Sequence, residues 1–177
     1  KELSNKKLKN SNLKNEELQP ILKLFNTGKF DETIIELKKI IQRFPRSPFL
    51  YNFLGINYAQ ISQTSDALKN FKIALELNPN YADGHSNLGN SLISVGKLSE
   101  AKEHLHKAIA LNDKHVDAYN NLGNIYQKEK NYKLAIPCFS KALSINPNHQ
   151  SANNNLGVVL NEQGEFDKAI SYFDKAI

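Results

Sequence analysis

The side chains in this sequence best suited to nucleophilic or metal chemistry are five histidines, His85, His104, His106, His115 and His149, and a single cysteine, Cys138. His104 and His106 stand two apart on one predicted helix and so point in different directions. His115 and His149 fall in equivalent turns one period apart, with no cysteine or acidic cluster converging on either. A protein metal site gathers several ligands in space, so these histidines read as solvated surface, and no metal is expected. Cys138 follows Pro137 and has no evident histidine partner, which favours a packing or partly exposed thiol over a nucleophile. A lone cysteine also rules out an intrachain disulfide. There is no glycine-rich phosphate loop, and acidic pairs such as Asp31–Glu32 fall where helix starts carry acids. These residues are therefore expected to hold no cofactor and to form no enzyme by themselves.

Carboxamides offer a different chemistry. Asn87, Asn121 and Asn155 recur at intervals of 34 residues, and Asn90 and Asn124 make a second, shorter row. Each carboxamide has two donor hydrogens and an acceptor oxygen. A row of them can grip the backbone of an extended peptide whatever its side chains are. The competing reading is plain surface solvation in a chain rich in Asn and Lys.

The elements that must position these residues are legible from an internal repeat. Leu54–Gly55, Leu88–Gly89, Leu122–Gly123 and Leu156–Gly157 recur at 34-residue spacing. Alanines follow at two fixed offsets: Ala67, Ala101, Ala135 and Ala169, then Ala74, Ala108, Ala142 and Ala176. Between them stand Phe71, Leu105, Phe139 and Phe173. Gly28, Phe30, Thr33, Leu37, Ile40 and Pro45 carry a worn copy one period earlier. Five units follow: residues 14–47, 48–81, 82–115, 116–149 and an incomplete 150–177, preceded by a Lys/Asn-rich lead-in at 1–13.

Each unit is predicted to be two helices. Val116, Ala118, Tyr119, Leu122, Gly123, Ile125 and Tyr126 recur at helical spacing, as do Tyr132, Leu134, Ala135, Ile136, Phe139, Ala142 and Leu143. Asn146–Pro147–Asn148 ends the second run. Gly96 and Gly164 mark turns inside units, and Thr64 and Ser99 are the expected N-caps of second helices. Pro137 is expected to remove one hydrogen bond and bend its helix. The recurrent small residues let two antiparallel helices approach closely, with Leu, Phe and Tyr filling the grooves between them.

Composition narrows the function classes. The chain has 177 residues, 40% hydrophobic and 23% charged, with no apolar run long enough to span a membrane. Its formal charge is +5, but Lys1, Lys6, Lys7, Lys9 and Lys14 against Glu2 account for most of it. The body is nearly neutral, so neither nucleic acid nor membrane is the expected partner. One cysteine and no signal peptide at the start given fit a cytoplasmic location. With no methionine, the chain is expected to be a fragment or a processed product.

The Leu-Gly-x-x-Tyr of Leu122–Tyr126, the two later alanines, the Phe and the closing Pro resemble the tetratricopeptide repeat, over residues 14–177. His85 and Asn153 depart from that pattern where Tyr51 and Tyr119 keep its aromatic. The resemblance implies an all-α, right-handed superhelical solenoid of antiparallel helix pairs, with first helices lining a concave wall. Residues of those helices pointing away from the core would then face a groove. They are Asp83, Ser86, Asn87, Asn90 and Ser94, then Asp117, Asn120, Asn121, Asn124, Gln127 and Lys128, then Asn154, Asn155 and Asn161. The asparagine row is similar to that of the helical arm of O-linked N-acetylglucosamine transferases. The segment from Leu18-Gln19-Pro20 to Leu50-Tyr51-Asn52 also resembles the start of bacterial proteins whose repeats precede a glycosyltransferase, sulfotransferase or methyltransferase domain. The family's carboxylate clamp would need basic residues where Ser86, Ser151 and Asn155 stand, so that mode is not expected.

The function expected is a scaffold that binds a protein or extended peptide in an Asn-lined groove, as the docking or assembly arm of a larger protein. One alternative is self-association through repeat ends or the outer wall, because Phe166, Ala169, Ile170 and Phe173 of the last unit lack a covering helix. The other is a substrate-docking part of a transferase.

Overall fold

The computed structural model describes residues 15–176, and the predicted lead-in at 1–13 lies outside the described residues. Ten helices and no strand are present among them: α1 (Asn15–Asn26), α2 (Phe30–Arg43), α3 (Pro48–Gln60), α4 (Thr64–Leu77), α5 (Ala82–Ser94), α6 (Leu98–Leu111), α7 (Val116–Lys128), α8 (Tyr132–Ile145), α9 (Gln150–Glu162) and α10 (Phe166–Lys175). They pair as hairpins, α1 with α2 through α9 with α10. Each second helix also packs on the first helix of the next hairpin, and α3, α5, α7 and α9 touch in succession. The molecule is an all-α, right-handed superhelical solenoid.

The hairpins close on a seam dictated by the small residues. A Cβ added at Gly55, Gly89 or Gly157 would come within 3.0 Å of Phe71, Leu105 or Phe173, and one at Gly123 would strike the ring of Phe139. Side chains at those four sites are excluded, and the large residue opposite fills the space instead. Ala67, Ala101 and Ala135, with Phe71, Leu105 and Phe139, are essentially inaccessible. This close approach outweighs the roughly 1 kcal/mol that a glycine costs inside a helix.

Turns between units use asparagine in a way the periodicity alone does not suggest. The Oδ1 atoms of Asn78, Asn112 and Asn146 accept 3.1 Å hydrogen bonds from the backbone N–H two residues on. Each of these asparagines also ends its helix by donating its own N–H to the carbonyl of Ala74, Ala108 or Ala142.

Turns inside units place residues 28, 62, 96, 130 and 164 in the left-handed region. Gly28, Gly96 and Gly164 suit that conformation, whereas Ser62 (φ 60°) and Lys130 (φ 55°) adopt it against steric preference.

Two expectations need correction. Thr64 is the first residue of α4 and Ser99 the second of α6. The cap positions are Gln63 and Lys97, neither with a side-chain cap bond. The left-handed residue just before reverses the chain so tightly that the helix starts at once. Pro137 sits inside α8, which runs on through it as one element, with its ring on the exposed side. No helix among the described residues is long and apolar enough to cross a membrane.

Candidate functional site

The first helices present their polar faces together because successive units stack α3, α5, α7 and α9 side by side. Two clefts open on this wall. One, of about 690 Å³, lies over Asn120, Asn121, Asn124, Asn154 and Asn155, with Phe173 at its edge. The other, of about 450 Å³, is lined by Asn90, Asn124, Gln127, Lys128, Asn155 and Glu162. Asn124 and Asn155 belong to both, so the clefts meet there.

The carboxamides pair across units, but not along simple 34-residue rows. Asn155 Nδ2 donates to Asn120 Oδ1 at 3.1 Å and to Asn124 Oδ1 at 2.7 Å. Asn87 Nδ2 donates 3.0 Å to Asn52 Oδ1, and Asn52 Nδ2 lies 3.4 Å from the Tyr81 hydroxyl. Asn87 therefore looks back towards the preceding unit and enters neither cleft, while Asn121 is buried beneath the larger one. Asn52, the partner the sequence reading missed, stands two periods before Asn120, and that register was the available signal. Asn90 and Asn154 are exposed, and Asn124, Gln127 and Asn155 are half-buried.

The hydrogen budget of the Asn120–Asn124–Asn155 cluster defines what it can do. Both oxygens that Asn155 engages are occupied, and both hydrogens of its own amide are spent. Asn120, expected to face the groove, is only 6% exposed, so the amide hydrogens of Asn124 and the oxygen of Asn155 are what the cluster turns to a ligand. That is the complement of a peptide group, which offers carbonyls and one N–H per residue.

Asp83 and Asp117, expected on the wall, are exposed there and also join it to the turns. His149 Nε2 bonds Asp117 Oδ1 at 3.1 Å, and its Nδ1 accepts the N–H of Ala152 at 3.1 Å, capping α9. His115 caps α7 the same way through Ala118 N–H at 3.3 Å, and its Nε2 comes 3.2 Å from Asp83 Oδ1 without hydrogen-bond alignment. These two histidines were expected on a solvated surface. The imidazoles are largely covered, because a cap side chain must fold back over the first helical turn. Both Nδ1 atoms act as acceptors, so the ring proton sits on Nε2, towards the aspartate.

His85 also departs from the surface expectation. It is 3% exposed and takes the place where Tyr51 and Tyr119 stand in neighbouring units, its polar atoms met by His104 and by the Pro79 carbonyl. Cys138 is half-buried and unpaired, and burial pushes its thiol up to about 11, well away from thiolate chemistry at neutral pH. Among the described residues no three side chains of His, Cys, Asp or Glu gather as metal ligands.

Comparison with known proteins matches this geometry to one repeat type. Family models described as tetratricopeptide repeat match residues 116–149 and 138–171, and a model described as TPR repeat matches 55–95 and 89–130. A crystal structure of MamA is 30% identical, with 87% of this chain and 90% of that one covered and a TM-score of 0.70. A thermophilic TPR protein of Thermus thermophilus is 19% identical, with 91% and 88% covered and a TM-score of 0.81. YrrB, described as a TPR protein with an unusual peptide-binding site, is 22% identical, with 91% and 83% covered and a TM-score of 0.64. No curated protein matches the chain.

Proposed function

Because this chain belongs to the tetratricopeptide repeat family, we propose that it is a binding scaffold that receives an extended peptide or partner segment along its inner wall. The observation that carries this reading is the Asn120–Asn124–Asn155 cluster, which joins two units at the point where two clefts meet. A surface asparagine that only solvates has no reason to be held against its counterparts in the next unit. Here the amides are fixed before any ligand arrives, so less freedom is lost on binding. The contacts engage backbone groups, so recognition is broad in sequence and specific for extended conformation. The peptide-binding description of YrrB, a protein of the same fold, is in keeping with this.

The test is capture on an array of unstructured dodecapeptides. Replacing Asn120, Asn124 and Asn155 together with Ala should abolish capture while the circular dichroism spectrum stays helical. Capture that persists in a folded triple variant overturns the groove.

A second reading, self-association, rests on a different observation. Phe166 is 62% and Ile170 58% exposed on α10, whereas Tyr132 and Ile136 at the same register of α8 are half-buried under α9. Light scattering should show concentration-dependent dimers that Phe166→Ser with Ile170→Ser removes. A monomer at all concentrations excludes this reading.

A further inference from the structure

We propose that the His85–His104 pair is an acid-sensitive latch, holding α5 against α6 only while the two rings share no more than one extra proton. The rings meet nose to nose across the third hairpin: Nδ1 faces Nδ1 at 2.9 Å, with ring centres 5.1 Å apart. His85 is buried, and its Nε2 lies 3.0 Å from the Pro79 carbonyl oxygen in the preceding turn. A carbonyl only accepts, so Nε2 carries a hydrogen and the neutral His85 ring shows a lone pair at Nδ1. His104 Nδ1 must then be the donor between the rings, leaving the lone pair of its Nε2 outside the pair.

This inventory fixes what each added proton does. The first goes to His104 Nε2 and leaves both contacts intact. The second can go only to His85 Nδ1, which already faces an N–H. The bond between the rings is then lost, and two cations stand at contact distance on facing helices.

The surroundings reinforce the neutral pair. Burial is the leading cause that lowers both histidines below their ordinary value of 6.5. Lys107 on α6 lowers both further, and His85 lowers His104, while the Pro79 carbonyl opposes the shift at His85. Glu103 and Glu100 on α6 oppose it at His104, and Glu100 itself is drawn to Lys97 and to Lys72 of α4. Both groups are depressed on folding, so the stability they confer is full above pH 6.5 and lost as pH falls below it.

The solenoid supplies its own control. One period on, the same two positions hold Tyr119 and Cys138. The full chain carrying His85→Tyr with His104→Cys should therefore fold with the side chains that the next hairpin already carries at these two positions. Urea unfolding of both proteins would be followed from about pH 7.5 to about pH 5, where linkage predicts up to about a tenfold loss of folding constant per pH unit for each excluded proton. The native chain should lose ground to the swap only below pH 6.5. His106, His115 and His149 are common to both, so the difference belongs to the pair. Parallel profiles overturn the latch. If the swap fails to fold, His104→Ala, which leaves the His85–Pro79 bond in place, serves in its stead, and a profile parallel to the native one overturns the latch equally.

Discussion

The same first helices carry two unlike faces. Towards their own hairpin partner they present glycine and leucine to Phe or Leu, a seam closed mainly by shape. Towards the groove they present carboxamides and His–Asp contacts, a wall closed by hydrogen-bond direction. The seam repeats unit after unit with little variation. The wall does not: units two and three meet through Asn52–Asn87, units four and five through Asn120, Asn124 and Asn155. Shape complementarity is set by volume and tolerates few solutions, whereas polar pairing can be met by several partners within reach. The fold is thus repeated and the surface is individual.

This contrast can be broken most sharply at the seam. Gly123→Leu would force a branched side chain into the space of the Phe139 ring and should destabilise the protein by about 1–3 kcal/mol. An unchanged urea midpoint would mean that the hairpins are not closed by close approach. On the wall the expected effect is smaller. His149→Ala removes the α9 cap and the Asp117 contact together and should cost about 1 kcal/mol, without changing the denaturant slope. A loss as large as that at Gly123 would show that wall and seam are one cooperative unit. The smallest effect lies in the turn that neither face touches. Lys130→Gly relieves a left-handed lysine and should stabilise by up to about 1 kcal/mol. A destabilised variant would mean that Lys130 contributes through something other than its backbone.

The sequence carried the seam and only part of the wall. A glycine opposite a phenylalanine at fixed spacing has one packing explanation, so the hairpins and their stacking were readable from Leu122–Gly123 and Phe139 alone. Polar contacts depend on where side chains reach across units, which spacing does not encode. Asn87 and Asn155 stand in equivalent positions, yet one turns back to Asn52 and the other bridges Asn120 and Asn124. His115 and His149 were misread for a related reason. Their register was visible, but a cap position is defined by backbone dihedrals, not by residue type. Thr64 and Ser99 failed as expected caps on the same ground, being good capping residues one or two places too late.

The His–Asp contacts have a genetic consequence. Each cap histidine closes the unit that carries its carboxylate and caps the first helix of the next unit. Excising residues 116–149 would bring His115 directly before Gln150, where it would cap α9 and still face Asp83. The joint heals because donor and acceptor recur at the same interval as the reading-frame block that would be lost. A gene built this way can lose or gain the unit between the two histidines through unequal recombination and keep this contact at the joint.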